Sequence, residues 1–171
     1  MTRFRTFLAG LALALTAALS PLAASAQSLT DFAENKLIDA VFRGQSLGAP
    51  ATFYVALFTA ASACDAATVT EVSGGSYARV AVTSSLANWA GTQSAGSTTA
   101  SSGTGGATSN NAAITFPAPT ANWGAVTHFG LYSASSGGDL WICQALTTAK
   151  TVNNGDAAPS FSAGALTVTF Q

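Results

Sequence analysis

Histidine and charge are what this 171-residue sequence has least of: one histidine, and only 8 % Asp, Glu, Lys and Arg together. Six basic residues stand against seven acidic ones, with no cluster of either sign. A surface that holds a phosphate backbone needs grouped Lys and Arg, so nucleic acid is not an expected partner. Two cysteines far apart and the lone His128 do not make a zinc spacing, and no metal is expected. Asp139 and Asp156 stand singly in turns, without the alternating carboxylates of a calcium loop. Gly74-Gly75, Gly105-Gly106 and Gly137-Gly138 lack the strand, loop and Lys context that cradles phosphates, and no cofactor is expected. His128 lies in the strand-like run Val126-Thr127-His128-Phe129-Gly130-Leu131, with no nucleophile-elbow pattern anywhere to partner it. A Ser–His–carboxylate triad shows itself only in three dimensions, so a secreted hydrolase stays the third reading, behind a non-enzymatic protein with no catalytic residues.

Long apolar runs are missing as well, except at the start. Arg3 and Arg5 precede the uncharged, Leu/Ala-rich stretch Phe7 to Leu19, which ends at Ser20-Pro21. Ala24-Ser25-Ala26 then supplies the small residues signal peptidase accepts, with Gln27 as the new N-terminus. A spanning helix needs about 20 apolar residues, more than this run offers. Residues 1–26 therefore read as a cleavable signal peptide. Residues 27–171 read as a single β-rich domain, secreted or periplasmic, with no membrane span after cleavage. The 145 residues left can bury a substantial core, and four basic against seven acidic residues leave a net charge of about −3. In an oxidising compartment the even pair Cys64 and Cys143 reads as a disulfide, provided their Cα atoms meet.

Ser, Thr, Gly and Ala abound, and they frame one helix and several strands. Residues 27–44 are the helical segment. Ser28 or Thr30 can cap it, Asp31 and Glu34 fill its first turn, and Arg43 with Gly44 close it. Leu29, Phe32, Ala33, Leu37, Ala40 and Val41 form its apolar face, which packs on the domain or on a neighbouring subunit. Strands are expected at 52–59, 68–72, 77–82, 113–116, 125–132, 140–148 and 165–170. Alternation puts Ala78, Val80 and Val82 opposite Tyr77, Arg79 and Ala81, and turns Leu166, Val168 and Phe170 inward. Short strands with Gly/Asn turns define a mainly β fold, a β-sandwich or barrel-like domain with one N-terminal amphipathic helix.

Residues 91–111 contain almost no core-forming side chain and read as a flexible Gly/Ser/Thr loop, with Trp89 and Trp123 pinning its ends. Trp89, Trp123 and His128 are the candidate surface-contact residues. Trp89, Trp123, Trp141, Tyr54, Tyr77 and Tyr132 could also furnish a sugar-stacking platform, their competing role being core filling.

The stretch from Ser28 to Leu37, Ser-Leu-Thr-Asp-Phe-Ala-Glu-Asn-Lys-Leu, resembles the opening of small tailed-bacteriophage virion proteins of the tail fibre type. Tyr54-Val55-Ala56-Leu57-Phe58-Thr59 and Glu71-Val72-Ser73-Gly74-Gly75-Ser76-Tyr77-Ala78-Arg79-Val80 extend the likeness in order. Trp123-Gly124-Ala125-Val126-Thr127-His128-Phe129-Gly130 and Ala145-Leu146-Thr147-Thr148 carry it through residues 28–171. The resemblance implies a β-rich structural subunit that associates with itself or with other subunits, located in a virion if the phage role is retained. The leader and the cysteine pair depart from that family's pattern, and together they suggest an exported bacterial derivative. The alternative is a secreted adhesin or carbohydrate-binding module with a cell-surface glycan as partner.

Overall fold

The segment after Pro50, dense in β-branched and aromatic residues, forms β1 (Thr52–Ala63), on which the other main strands assemble. The computed structural model describes residues 29–91, 99–102 and 106–170. The expected leader and most of residues 91–105 lie outside that set. Before β1 comes α1 (Asp31–Phe42), and after it β2 (Thr68–Glu71) and β3 (Val80–Thr83). Then follow β4 (Ala107–Ser109), β5 (Ile114–Thr115), β6 (Gly124–Tyr132), β7 (Leu140–Val152), β8 (Ser160–Phe161) and β9 (Thr167–Thr169). The fold is mainly β, antiparallel throughout these pairings, with one helix.

The main sheet runs β2-β1-β6-β7, and β3 joins the same edge of β1 as β2. β2 pairs with Phe58–Ala63 and β3 with Thr52–Val55, so the two lie end to end along that edge. The gap between them is closed at Leu57. Its carbonyl accepts from the Val72 N–H at 2.9 Å, and its N–H donates to the Tyr77 hydroxyl at 2.9 Å. A buried backbone N–H left without a partner costs about 1–3 kcal/mol, so the phenol does the work of a missing strand residue.

Both faces of the central strands are covered, which is why Val55–Phe58 is a continuous apolar run rather than an alternating one. Val55 and Leu57 face the larger core with Val126, Phe129, Leu131 and Ile142. Ile114, Phe116, Leu166 and Val168, from the β4-β9 and β5-β8 ribbons and their flanks, close that core from the other side. On the opposite face Ala56 and Phe58 pack with Leu140 and Cys143. A Cβ added at Gly130 would come 2.5 Å from Phe58 Cζ and 2.7 Å from Leu140 Cδ1, so the glycine makes room for that ring.

The cysteine pair forms the disulfide: Cys64, just past the end of β1, is bonded to Cys143 of β7, with Cα atoms 5.2 Å apart. It ties the outer end of the β1-β2 hairpin to the far side of the sheet. α1 is capped by Thr30, whose hydroxyl oxygen accepts from the Ala33 N–H while its proton goes to the Leu140 carbonyl. The Thr30 N–H donates to the Trp141 carbonyl at 3.1 Å, and the Asp31 N–H to the Asp65 carbonyl at 2.8 Å. The start of the helix is therefore bolted to β7 and to the β1-β2 turn. Its far half is not: Ala33 is the only residue of α1 that is fully buried.

Three expectations are corrected. The strand expected from Tyr77 begins only at Val80, because Tyr77 and Arg79 turn inward to polar partners rather than continuing a ladder. Phe170 is half exposed, whereas Leu166 and Val168 are buried as expected. The loop expected through Asn111 ends earlier: Ala107–Ser109 is β4, paired with β9 and followed by the buried Asn110. Asn110 Nδ2 donates to the carbonyls of Ala112 and Ser162, and its Oδ1 accepts from the Leu166 N–H at 2.9 Å. That side chain replaces strand pairing where the chain is too irregular to supply it.

Candidate functional site

The one dense cluster of polar side chains among the described residues comes from the segment Glu71 to Val80. Glu71 ends β2, Gly74 and Gly75 reverse the chain at φ +72° and +56°, and Arg79 returns beside Glu71 just before β3. Arg79 Nε and Nη2 meet the two Glu71 carboxylate oxygens at 2.8 and 2.7 Å. Its Nη1 donates to the carbonyls of Ala134 and Gly137 at 2.8 and 2.7 Å. The guanidinium also lies on the Tyr132 ring, 3.4 Å from its centroid. The Tyr77 hydroxyl donates to Glu71 at 2.9 Å while accepting from Leu57.

This cluster is electrostatically closed. Burial would lower the Arg79 pKa, but the hydrogen bonds and charge of Glu71 outweigh it, and the guanidinium stays more firmly protonated than usual. Burial raises the Tyr77 phenol well above its ordinary value; the Leu57 N–H opposes this, and the Glu71 charge adds to the rise. Both arms of the ion pair already have partners, so the cluster is a clamp between β2, β3 and the β6-β7 turn rather than a place for substrate. It gives the resembling segment Glu71 to Val80 an architectural role.

The expected contact residues scatter. Trp123 is removed from the surface by its own packing: it is 5 % exposed, its Nε1–H donates to the Gly75 carbonyl at 3.0 Å, and its ring meets Tyr77 edge-on. His128 sits on β6 with Nδ1 hydrogen-bonded to the Thr127 hydroxyl at 2.8 Å, and Thr127 in turn donates to the Thr59 carbonyl. Trp89 bridges to Asn110, so it joins the two ends of residues 91–109. None of the six Trp and Tyr residues offered for sugar stacking is fully exposed; Trp123 and Trp141 are core, and Tyr132 is covered by Arg79. Among the described residues no group of three or more His, Cys, Asp and Glu is placed to hold a metal ion, and no helix could cross a membrane.

Sequence reasoning missed a groove of about 840 Å³ beside α1. Leu29, Leu47, Phe53, Trp89, Trp141 and Phe170 converge on it from distant parts of the chain, and no charged residue lines it. The indole N–H groups of Trp89 and Trp141 are buried without an acceptor among the described residues. A second groove, about 790 Å³, lies along β7 over Phe129 and Phe161, with Gln144, Lys150 and Asp156 at its rim.

The chain is a mainly β scaffold with an internal ion-pair clamp, and the family its sequence matches is one of phage fibre structural proteins. Residues 28–169 match the family described as Podophage GP4 fiber I protein gp80, and the chain belongs to that family. No curated protein matches the chain.

Proposed function

We propose that the chain is a non-enzymatic fibre-type subunit that works through subunit and surface contacts outside the cytoplasm, as an exported derivative of the phage form. The observation that carries this reading is the helix: its first turn is fastened to β7, yet Leu37, Ile38, Val41 and Phe42 are left to solvent. Apolar surface of that extent is the mark of a contact face. The Cys64–Cys143 bond supports the extracytoplasmic setting, since such bonds persist where the environment oxidises thiols. The leader, residues 1–26, would supply the route.

Expression of the complete sequence in an exporting bacterial host tests this. Mass spectrometry should find a periplasmic or secreted product beginning at Gln27, with no free thiol. Retention of residues 1–26 on a cytoplasmic product with two free thiols would overturn the export part. Fibres or particles from the producing cells, probed with an antibody to the chain, should carry it.

A further inference from the structure

From the groove and the helix beside it, we infer that this face is where a second copy of the same chain docks; the inference rests on the structural-subunit reading above and names its surface. Six large apolar residues are exposed among the described ones, from 45 % for Leu37 to 81 % for Phe42, and they are not scattered. Leu37, Leu86 and Phe170 line the groove. Ile38, Val41 and Phe42 continue from Leu37 around the helix: 37 with 41 and 38 with 42 form two adjoining rows at i, i+4 spacing. One face therefore carries a ridge and a groove side by side.

The ridge of Leu37, Ile38, Val41 and Phe42 and the groove carry no charge of their own; the nearest carboxylate on that side is Glu34, one turn towards the helix N-terminus in the row of Ile38 and Phe42. Asp39 pairs with Arg43 at 3.1 Å, and Lys36 sits 5.7 Å from the Phe32 ring, all on other sides of the helix from the ridge. The groove lining has hydroxyls from Ser84, Ser85 and Thr108 but no charge. A charged partner would find no counter-charge in the groove itself. A second copy brings an apolar ridge to an uncharged groove, so a two-fold arrangement covers both at once.

The area fits. At roughly 200 Å² for a fully exposed large apolar residue, the six present about 700 Å². The largest apolar patch on a typical monomer is about 300–600 Å², and a stable interface buries about 800 Å² per partner. With the groove walls added, the face reaches interface size.

The test compares the exported product of the full sequence with its V41S/F42S variant, by light scattering and sedimentation from about 1 to 100 µM. Far-ultraviolet circular dichroism and thiol counting check that the variant folds and keeps its disulfide; both side chains point to solvent, so it should. The parent is expected to self-associate, and the variant to do so at least about tenfold more weakly. As a second variant, L86S alters the groove wall from the opposite side and should weaken association in the same sense. If the parent assembles and neither variant changes its mass, the surface is wrong while the subunit reading stands. A parent that stays monomeric over the whole range overturns the inference, and self-association falls with it. If the leader-bearing chain is monomeric, and removal of residues 1–26 only raises binding of an apolar dye without assembly, the occupant is the leader and not a second copy.

Discussion

Arg79 lies flat on Tyr132, its guanidinium carbon 3.4 Å from the ring centroid, while its two outer edges hold Glu71 and a pair of carbonyls. Only a planar, forked cation can do both. Its side chain is 8 % exposed and that of Glu71 is 24 %. Removing one partner leaves a largely buried charge alone, so Glu71→Gln should cost about 3 kcal/mol. Arg79→Lys keeps the charge but loses the fork and the stacking, and should cost about 2 kcal/mol. Urea unfolding of the single variants and of the double variant E71Q/R79M measures the coupling. The double variant should be distinctly less damaged than the sum of two unpaired charges.

The same cluster sets an alkaline limit. Burial holds the Tyr77 phenol above its ordinary pKa, against the opposing Leu57 hydrogen bond, and burial raises Tyr132 in the same direction. A folded-state pKa above the unfolded one gives stability that is complete below the unfolded value of about 10. Above that pH the unfolded chain loses the proton while the folded chain keeps it. Stability therefore falls as pH climbs from about 10 through the folded value. Urea midpoints from pH 8 to 11.5 should be flat and then decline, and Tyr77→Phe should make the decline shallower even though it lowers the starting stability.

Cys64 and Cys143 are 79 positions apart, and their bond fixes the β1-β2 end against β7. On the chain-entropy account, closing a loop of that length stabilises the fold by about 4–5 kcal/mol. Reduction, or the double variant C64S/C143S, should lower the unfolding free energy by that order and loosen the small core of Ala56, Phe58 and Leu140 first. Hydrogen exchange at Ala60–Ala63 would report the local effect.

What could be read beforehand, and what could not, divides along sequence distance. Thr30 and Gly44 mark the helix ends by local chemistry, and the runs of β1, β6 and β7 show in their own composition. The cysteine pair was legible from its even count and from the oxidising compartment that the leader-like start suggests. Ala107–Ser109 and Ser160–Phe161 have no strand signal of their own; they are strands because Thr167–Thr169 and Ile114–Thr115 come back to pair with them. Arg79 and Glu71, eight residues apart, look like surface charges until Gly74 and Gly75 fold them together beneath the β6-β7 turn. The groove was the least legible feature. Its walls come from Leu29, Phe53, Trp141 and Phe170, which no local pattern links, and the apolar helix face did not say which of its residues would stay uncovered.

Gly130 and Phe58 give the sharpest check on the small core. Gly130 has ordinary strand backbone, so an alanine there is conformationally acceptable and only space forbids it. The added methyl would sit 2.5 Å from the Phe58 ring, which is fully buried and held edge-on to Tyr132 at 6.2 Å. Packing extra volume into such a site costs about 1–3 kcal/mol, and Gly130→Ala should fall in that range. Phe58→Leu alone leaves a cavity and should cost about as much. If the ring is what the methyl meets, the two changes compensate, and the double variant should be more stable than the sum of the single losses predicts. Additive losses in thermal or urea unfolding would mean that Leu140, 2.7 Å away on β7, takes the strain instead.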